Sequence, residues 1–300
     1  MIPEFHGDAD GPPRSAQITR RTMLLGTVAG AVGAVGGTSA ASAADYSRVG
    51  RLPGEVSRAA TKYTAAGNAY ESIDVASGGD KARLFVPWTA PPSKPGTTVV
   101  WFYHSNGGDR TALTHVYGYP AALLVDRGIV SICPDYGGTL WTSQPAIDHQ
   151  ARWASWMSAT FSVARAYSRS NSGGGPLMCW AYGQNMIPRL RGIYLVNSAY
   201  DMSDLYSRDP IRIAPVYGYS RTTMERTNPA RLSSTSWTAK RIRVVVSMAD
   251  AIVPPARHGT ALINKAAPVA TSTSARWHEL GHKEPSWATT DMLTTFQSWA

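Results

Sequence analysis

The chain has 300 residues, 43% of them hydrophobic, which suits one large domain with a sizeable core rather than two. Its net charge of +9 is dispersed (Arg189, Arg191, Arg208, Arg212, Lys240, Arg241, Arg243) and no helix-turn-helix, finger or RNA-binding signature is present. That excludes sequence-specific nucleic-acid binding and leaves two readings of the charge, solubility or attraction to anionic cell-wall polymers and lipid headgroups. Ten tryptophans and fourteen tyrosines against five phenylalanines supply large side chains with polar handles, as a cleft or a ligand-contacting surface would use them.

Residues 1–44 read as an export address. Thr19-Arg20-Arg21-Thr22-Met23-Leu24-Leu25 precedes a mild Gly/Ala stretch to Gly37 and the small-x-small pattern Ala41-Ser42-Ala43, with the mature chain starting near Ala44 or Asp45. The arginine pair resembles a twin-arginine signal, which implies folding before export and a secreted or cell-envelope location. Residues 45–300 are then expected to be one domain. A polar lead-in allows one helix over 55–65, and strand-like runs at 70–76 and 82–88 flank the hairpin signal Ser77-Gly78-Gly79-Asp80-Lys81.

Thr97 to Tyr103 is β-branched and aromatic throughout, a central buried strand, and it ends in His104-Ser105-Asn106-Gly107-Gly108. A helix follows over 109–127, closed by Gly128, then a strand over 129–133, and then an amphipathic helix over 145–170 through Ile147, Trp153, Trp156, Met157, Phe161, Val163 and Tyr167. The short apolar run 176–181 after Gly173-Gly174-Gly175 reads as a strand, as does 193–197. Residues 201–238, with Pro210, Pro215 and Pro229, read as a cap-like insertion or a long loop. A strand at 241–248, a helix at 257–265, a short strand at 274–278 and a helix at 287–299 complete the pattern. Alternating strands and helices predict an α/β fold, a mostly parallel sheet with helices on both faces and a site at the carboxyl ends of the strands. Cys133 and Cys179, each in an apolar run, read as buried reduced thiols.

Three anchors resemble the α/β-hydrolase superfamily, near its secreted esterases and its dienelactone-hydrolase or prolyl-peptidase-like members. The loop at Ser105, Asn106 and Gly107 resembles an oxyanion loop; Asp250, in a strand-following S-x-x-D-x-x-V-P setting, resembles the catalytic acid; His282, after the last strand, resembles the general base. The resemblance implies hydrolysis of an ester or amide by a Ser-Asp-His mechanism on a small-molecule or polymer substrate, with no cofactor. The histidines show no zinc-site spacing, and the glycine run does not match a dinucleotide loop.

The nucleophile is the missing part. Placing the elbow pattern small-x-nucleophile-x-small on Ala181-Tyr182-Gly183-Gln184-Asn185 puts Gly183 where a serine belongs. The nine residues 184–192, with Pro188 among them, are also too few for a parallel crossover. Either the crossover helix is lost or truncated, or one of the two strands is not a strand; the expectation adopted is a deletion between about Cys179 and Gln184, with either an unidentified nucleophile or a catalytically dead relative, a binding module or an internally deleted product. Ser105, Ser198, Ser172 and Cys179 are weighed as substitutes and none is convincing, Ser172 because it lies at the wrong end of the expected strand. Asp201 resembles an alternative acid position.

Overall fold

The structure is a computed structural model and describes residues 48–300; the expected export signal lies outside the described residues. Among the described residues ten strands form one mixed sheet. In chain order they are β1 (Glu55–Arg58), β2 (Lys62–Tyr63), β3 (Ala69–Ser77), β4 (Asp80–Pro87), β5 (Thr97–Tyr103), β6 (Val130–Pro134), β7 (Val163–Asn171), β8 (Leu190–Val196), β9 (Arg241–Ser247) and β10 (Ser272–His278). The helices are α1 (Gly118–Val125), α2 (Gln144–Thr160), α3 (Gly175–Gly183), α4 (Met202–Arg208), α5 (Pro210–Ile213), α6 (Arg221–Arg226), α7 (Gly259–Ala266) and α8 (Ala288–Ser298).

Across the sheet the order is β1-β3-β4-β6-β5-β7-β8-β9-β10, with β2 paired to β3. The β1, β2, β3, β4 and β4–β6 pairings are antiparallel, and every pairing from β6 to β10 is parallel. From β5 the chain steps to β6 on one side and then returns to β7 on the other. The carboxyl ends of β5 and β7 therefore flank the point where the winding reverses, which in open α/β sheets is where ligands bind.

Alternation along β5 builds two cores. Val99, Trp101 and Tyr103 face a layer made by Trp153 and Met157 of α2, Met178 and Tyr182 of α3, and Leu262 of α7. Val100 and Phe102 face Leu124 of α1 and Met292 and Phe296 of α8. A smaller cluster, Met202, Leu205, Ile213, Tyr217 and Met224 against Trp141 and Val253, holds residues 202–226 over the carboxyl edge of the sheet as three short helices and a 3-10 turn.

Several sequence expectations are corrected. The helix allowed over 55–65 is replaced by β1 and β2, and the helix expected over 109–127 is only α1 preceded by a 3-10 turn at Arg110–Leu113. The helix expected over 145–170 ends at Thr160, and residues 163–171 form β7, a central strand paired to β5 and β8. The run read as a strand at 176–181 is helix α3. Its residues are apolar nearly all round because the helix is buried between the sheet and the segment at Pro229–Arg231, and such a helix has no polar stripe to betray its period.

With β7 moved upstream, residues 172–189 separate two adjacent parallel strands and contain a helix. The crossover is short but complete, so the deletion between Cys179 and Gln184 has nothing left to explain. Gly183 is the last residue of α3, where a Cβ would lie 2.5 Å from Leu232 Cδ1; it is a packing glycine and not an emptied nucleophile position. Cys179 is likewise in α3 rather than in the sheet. Both cysteines are buried and free, and burial pushes both thiols far above their usual range.

Candidate active site

Strand β7 ends at Asn171, and Ser172 takes the left-handed backbone conformation with φ +48° before the chain enters α3. A β-carbon-bearing residue tolerates that region at a cost, and such turns present a side chain away from the sheet. Three glycines make the turn possible by close approach. A Cβ on Gly173 would lie 2.8 Å from Asn106 N, one on Gly174 2.3 Å from Tyr103 O, and one on Gly175 2.0 Å from Ala199 O. The glycine run thus opens a helix instead of preceding a strand, and it wedges that helix between the ends of β5 and β8.

Ser172 meets two residues brought from the far side of the sheet. Its Oγ lies 2.9 Å from His282 Nε2, and His282 Nδ1 lies 2.7 Å from Asp250 Oδ2. Asp250 is 3% exposed, and its other oxygen accepts the backbone N–H groups of Ile252 (3.0 Å) and Val253 (2.8 Å). The carboxylate therefore takes the Nδ1–H of the imidazole and leaves the Nε2 lone pair for the serine hydroxyl, the tautomer a general base needs.

The loop carrying His282 is held from two strand ends. Asn197, just after β8, donates through Nδ2 to the carbonyls of Lys283 (2.9 Å) and Gly281 (3.3 Å). His278 Nδ1 accepts from Leu280 N (3.2 Å), so its Nε2–H donates to Asn197 Oδ1 (3.1 Å). Ser247 Oγ, at the end of β9, accepts from Gly281 N at 3.2 Å. On the Ser172 side, Glu284 accepts from Asn171 Nδ2 (2.7 Å) and pairs with the fully buried Arg169 of β7. Tyr117 OH accepts from Asn171 N (3.1 Å) and donates to Tyr103 O (2.6 Å), joining the ends of β7 and β5.

The expected oxyanion loop lies beside the serine. Gly107 N–H is committed to Thr139 Oγ1 (2.7 Å) and Gly108 N–H to Ser105 O (3.0 Å), whereas Asn106 N–H faces Gly173 and has no acceptor among the described residues. The N–H groups of Asn106 and Gly173 thus lie side by side beside Ser172, and neither has an acceptor among the described residues. Ser105 contributes its backbone to the turn; its hydroxyl makes no hydrogen bond to His282.

Asp250 and His282 are thus brought together as expected, and Ser172, passed over in the sequence, completes the set. The pattern small-x-Ser-x-small fits Ser170-Asn171-Ser172-Gly173-Gly174, with serine in place of the first glycine. Pro176 at the first turn of α3 and Gly183 at its end were the available signals that residues 175–183 are a helix. The remaining candidates have other work. Ser198 Oγ bonds Ser170 Oγ (2.9 Å) inside the sheet, and Asp201 caps α4 through Ser203 N (2.9 Å). Among the described residues no group of His, Cys, Asp or Glu is disposed to hold a metal ion.

No protein-family profile matches the sequence, and no curated protein matches it. Solved structures do. An S-formylglutathione hydrolase from Agrobacterium tumefaciens superposes with a TM-score of 0.63 at 14% identity, over 83% of this chain and 100% of that one. An acetyl xylan esterase from Paenibacillus sp. R4 gives 0.58 at 15% identity, over 82% of this chain and 87% of that one. An inhibited esterase B from Lactobacillus rhamnosis gives 0.56 at 14% identity, over 83% and 89%. The fold is that of these α/β-hydrolase structures.

Proposed function

We propose that the protein is a serine hydrolase that cleaves an ester or amide, with Ser172 as nucleophile, His282 as general base and acid, Asp250 as its orienting carboxylate, and Asn106 N and Gly173 N as oxyanion donors. The observation that carries this reading is the unbroken chain from Ser172 Oγ through His282 to Asp250, at 2.9 and 2.7 Å. Ser172 attacks the carbonyl carbon while its proton passes to His282 Nε2. The carbonyl oxygen takes the electron pair and is met by the two N–H groups. The tetrahedral adduct expels the leaving group, which receives the proton from His282, and water then hydrolyses the acyl-enzyme by the same steps.

The alternative of a dead relative rested on Gly183 standing at the nucleophile's place, and that premise is gone. Export through a twin-arginine signal in residues 1–44 and association of the +9 protein with an anionic cell envelope belong to the same reading; their support is the sequence pattern and the charge. The test of the chemistry is turnover of a short aryl ester by wild type and Ser172→Ala. Loss of about a million-fold in kcat is expected, since the serine and histidine act as a unit. Retention of more than a tenth of the activity would contradict the assignment.

A further inference from the structure

A cavity of about 270 Å³ opens beside Ser172, Gly173 and Asn106, between the acid loop and the α4–α5 segment. Its apolar walls are Trp141, Ala199, Leu205, Ile213, Ile252 and Val253, and the charged residues Arg208, Asp209 and Arg212 line it beside them. We infer that this cavity holds the acyl portion of the substrate and selects an uncharged apolar acyl group of about ten non-hydrogen atoms, well beyond an acetyl or formyl group. The inference rests on the serine-hydrolase reading and names its substrate class.

The side of the scissile bond follows from where the proton must go. The leaving group has to approach His282 Nε2 to be protonated, and neither His282 nor Asp250 lines the cavity, whereas Ser172 and both proposed oxyanion residues do. The leaving group therefore points away from the cavity and the acyl group points in.

Size follows from volume. A cavity of about 150 Å³ accepts benzene, so 270 Å³ accommodates roughly ten heavy atoms. The charge preference follows from how the charged lining residues are paired. Arg208 is held by Asp204 (3.0 Å), which also meets Arg257 and His258, and donates to Ala251 O (2.9 Å), and Arg212 is held by Asp209 (3.1 Å), so each arginine already has a carboxylate partner. An acyl carboxylate would have to be desolvated against apolar walls and compete with those aspartates.

The experiment is a series of p-nitrophenyl esters from acetyl to hexadecanoyl, with kcat/KM read for each. Burial of each methylene is worth about a fourfold increase, so kcat/KM rises by at least a hundredfold from acetyl to octanoyl and falls again beyond about ten carbons. The ester of glutaric acid monoanion reacts at least tenfold more slowly than the pentanoyl ester. Leu205→Trp, which fills the cavity from α4, and Ile252→Trp, at an exposed wall position that can be changed without disturbing the core, each lower the octanoyl-to-acetyl ratio at least tenfold. A flat or falling profile with turnover retained, a preference for the glutarate ester, or an unchanged ratio in folded Ile252→Trp overturns this inference alone. Absence of turnover with every ester overturns the serine-hydrolase reading and this inference with it.

Discussion

Asp250 is oriented before any substrate arrives. One oxygen is tied to the N–H groups of Ile252 and Val253, and the other can only face His282. Asp250→Asn keeps the shape but presents an amide that no longer takes the Nδ1–H while its other end accepts two backbone donors. The imidazole is then driven to the wrong tautomer, and kcat falls about 10⁴-fold with KM little changed; steady-state kinetics at neutral pH check it, and a loss under tenfold would show that the carboxylate is dispensable. His104 serves the opposite wall. Its ring nitrogens lie 3.0 Å from Ser105 O and 2.9 Å from Asp135 O, tying the turn at Ser105 to the loop after β6. Neither the acid nor the histidines owe their roles to residue type alone; each is defined by what fixes its second polar atom.

At the scale of elements, the segment over the site is anchored by a buried histidine outside the Ser172–His282–Asp250 chain. His258 is fully buried before α7; its Nδ1 accepts the N–H groups of Tyr200 and Asp201 (3.1 Å each), and its Nε2–H donates to Asp204 of α4 (3.1 Å). Burial holds its pKa below the ordinary value of 6.5, as it does for His278 beneath the His282 loop. A histidine kept neutral in the fold lets the unfolded chain bind protons first. Stability is therefore full above about pH 6.5 and declines as pH falls from there toward the folded-state pKa. This decline precedes the loss from Asp74, Asp291 and Glu225: their arginine partners hold these carboxyls below the usual range, and their contribution is lost only as pH falls below the ordinary carboxylate value of about 4. Denaturant unfolding of His258→Leu should show a loss of about 2 kcal/mol at pH 7, from two N–H groups left without an acceptor, and a flatter slope between pH 6.5 and 5 than wild type. An unchanged slope would remove His258 from the account.

Which elements were legible in the sequence follows from how each is stabilised. β5 and β9 were readable because TTVVWFY and RIRVVVS are β-branched and buried on both faces. β7 was not, because VARAYSRSN carries one β-branched residue and several helix formers, and its strand state comes from pairing with β5 and β8. α3 was not, because a helix buried on nearly every side shows no amphipathic period. These two adjacent misreadings displaced the elbow by eleven residues, from Ser172 to Gly183, and turned a complete site into an apparently broken one. Asp250 and His282 were legible because they sit in loops whose setting, strand then acid and strand then histidine, survives any error in the centre of the sheet.

For the whole molecule, the arrangement is a sheet whose winding reverses at β5 and β7, with Ser172 at one strand end and Asp250 and His282 brought to it by the loops after β9 and β10. Such a site forms only when the full sheet does. If residues 1–44 are the export address, fusing them to a folded fluorescent reporter carries it across the inner membrane, and replacing Arg20 and Arg21 by lysine stops it; export that ignores the arginines would contradict that part. The central claim is narrower: one serine, set in a left-handed turn, is activated by one histidine. A fluorophosphonate probe applied to the purified protein, followed by mass-spectrometric mapping of the adduct, tests it most directly. The predicted result is a single adduct on Ser172, absent in Ser172→Ala and reduced by orders of magnitude in His282→Ala; a folded protein that takes no label, or that takes it on another residue, would contradict the account.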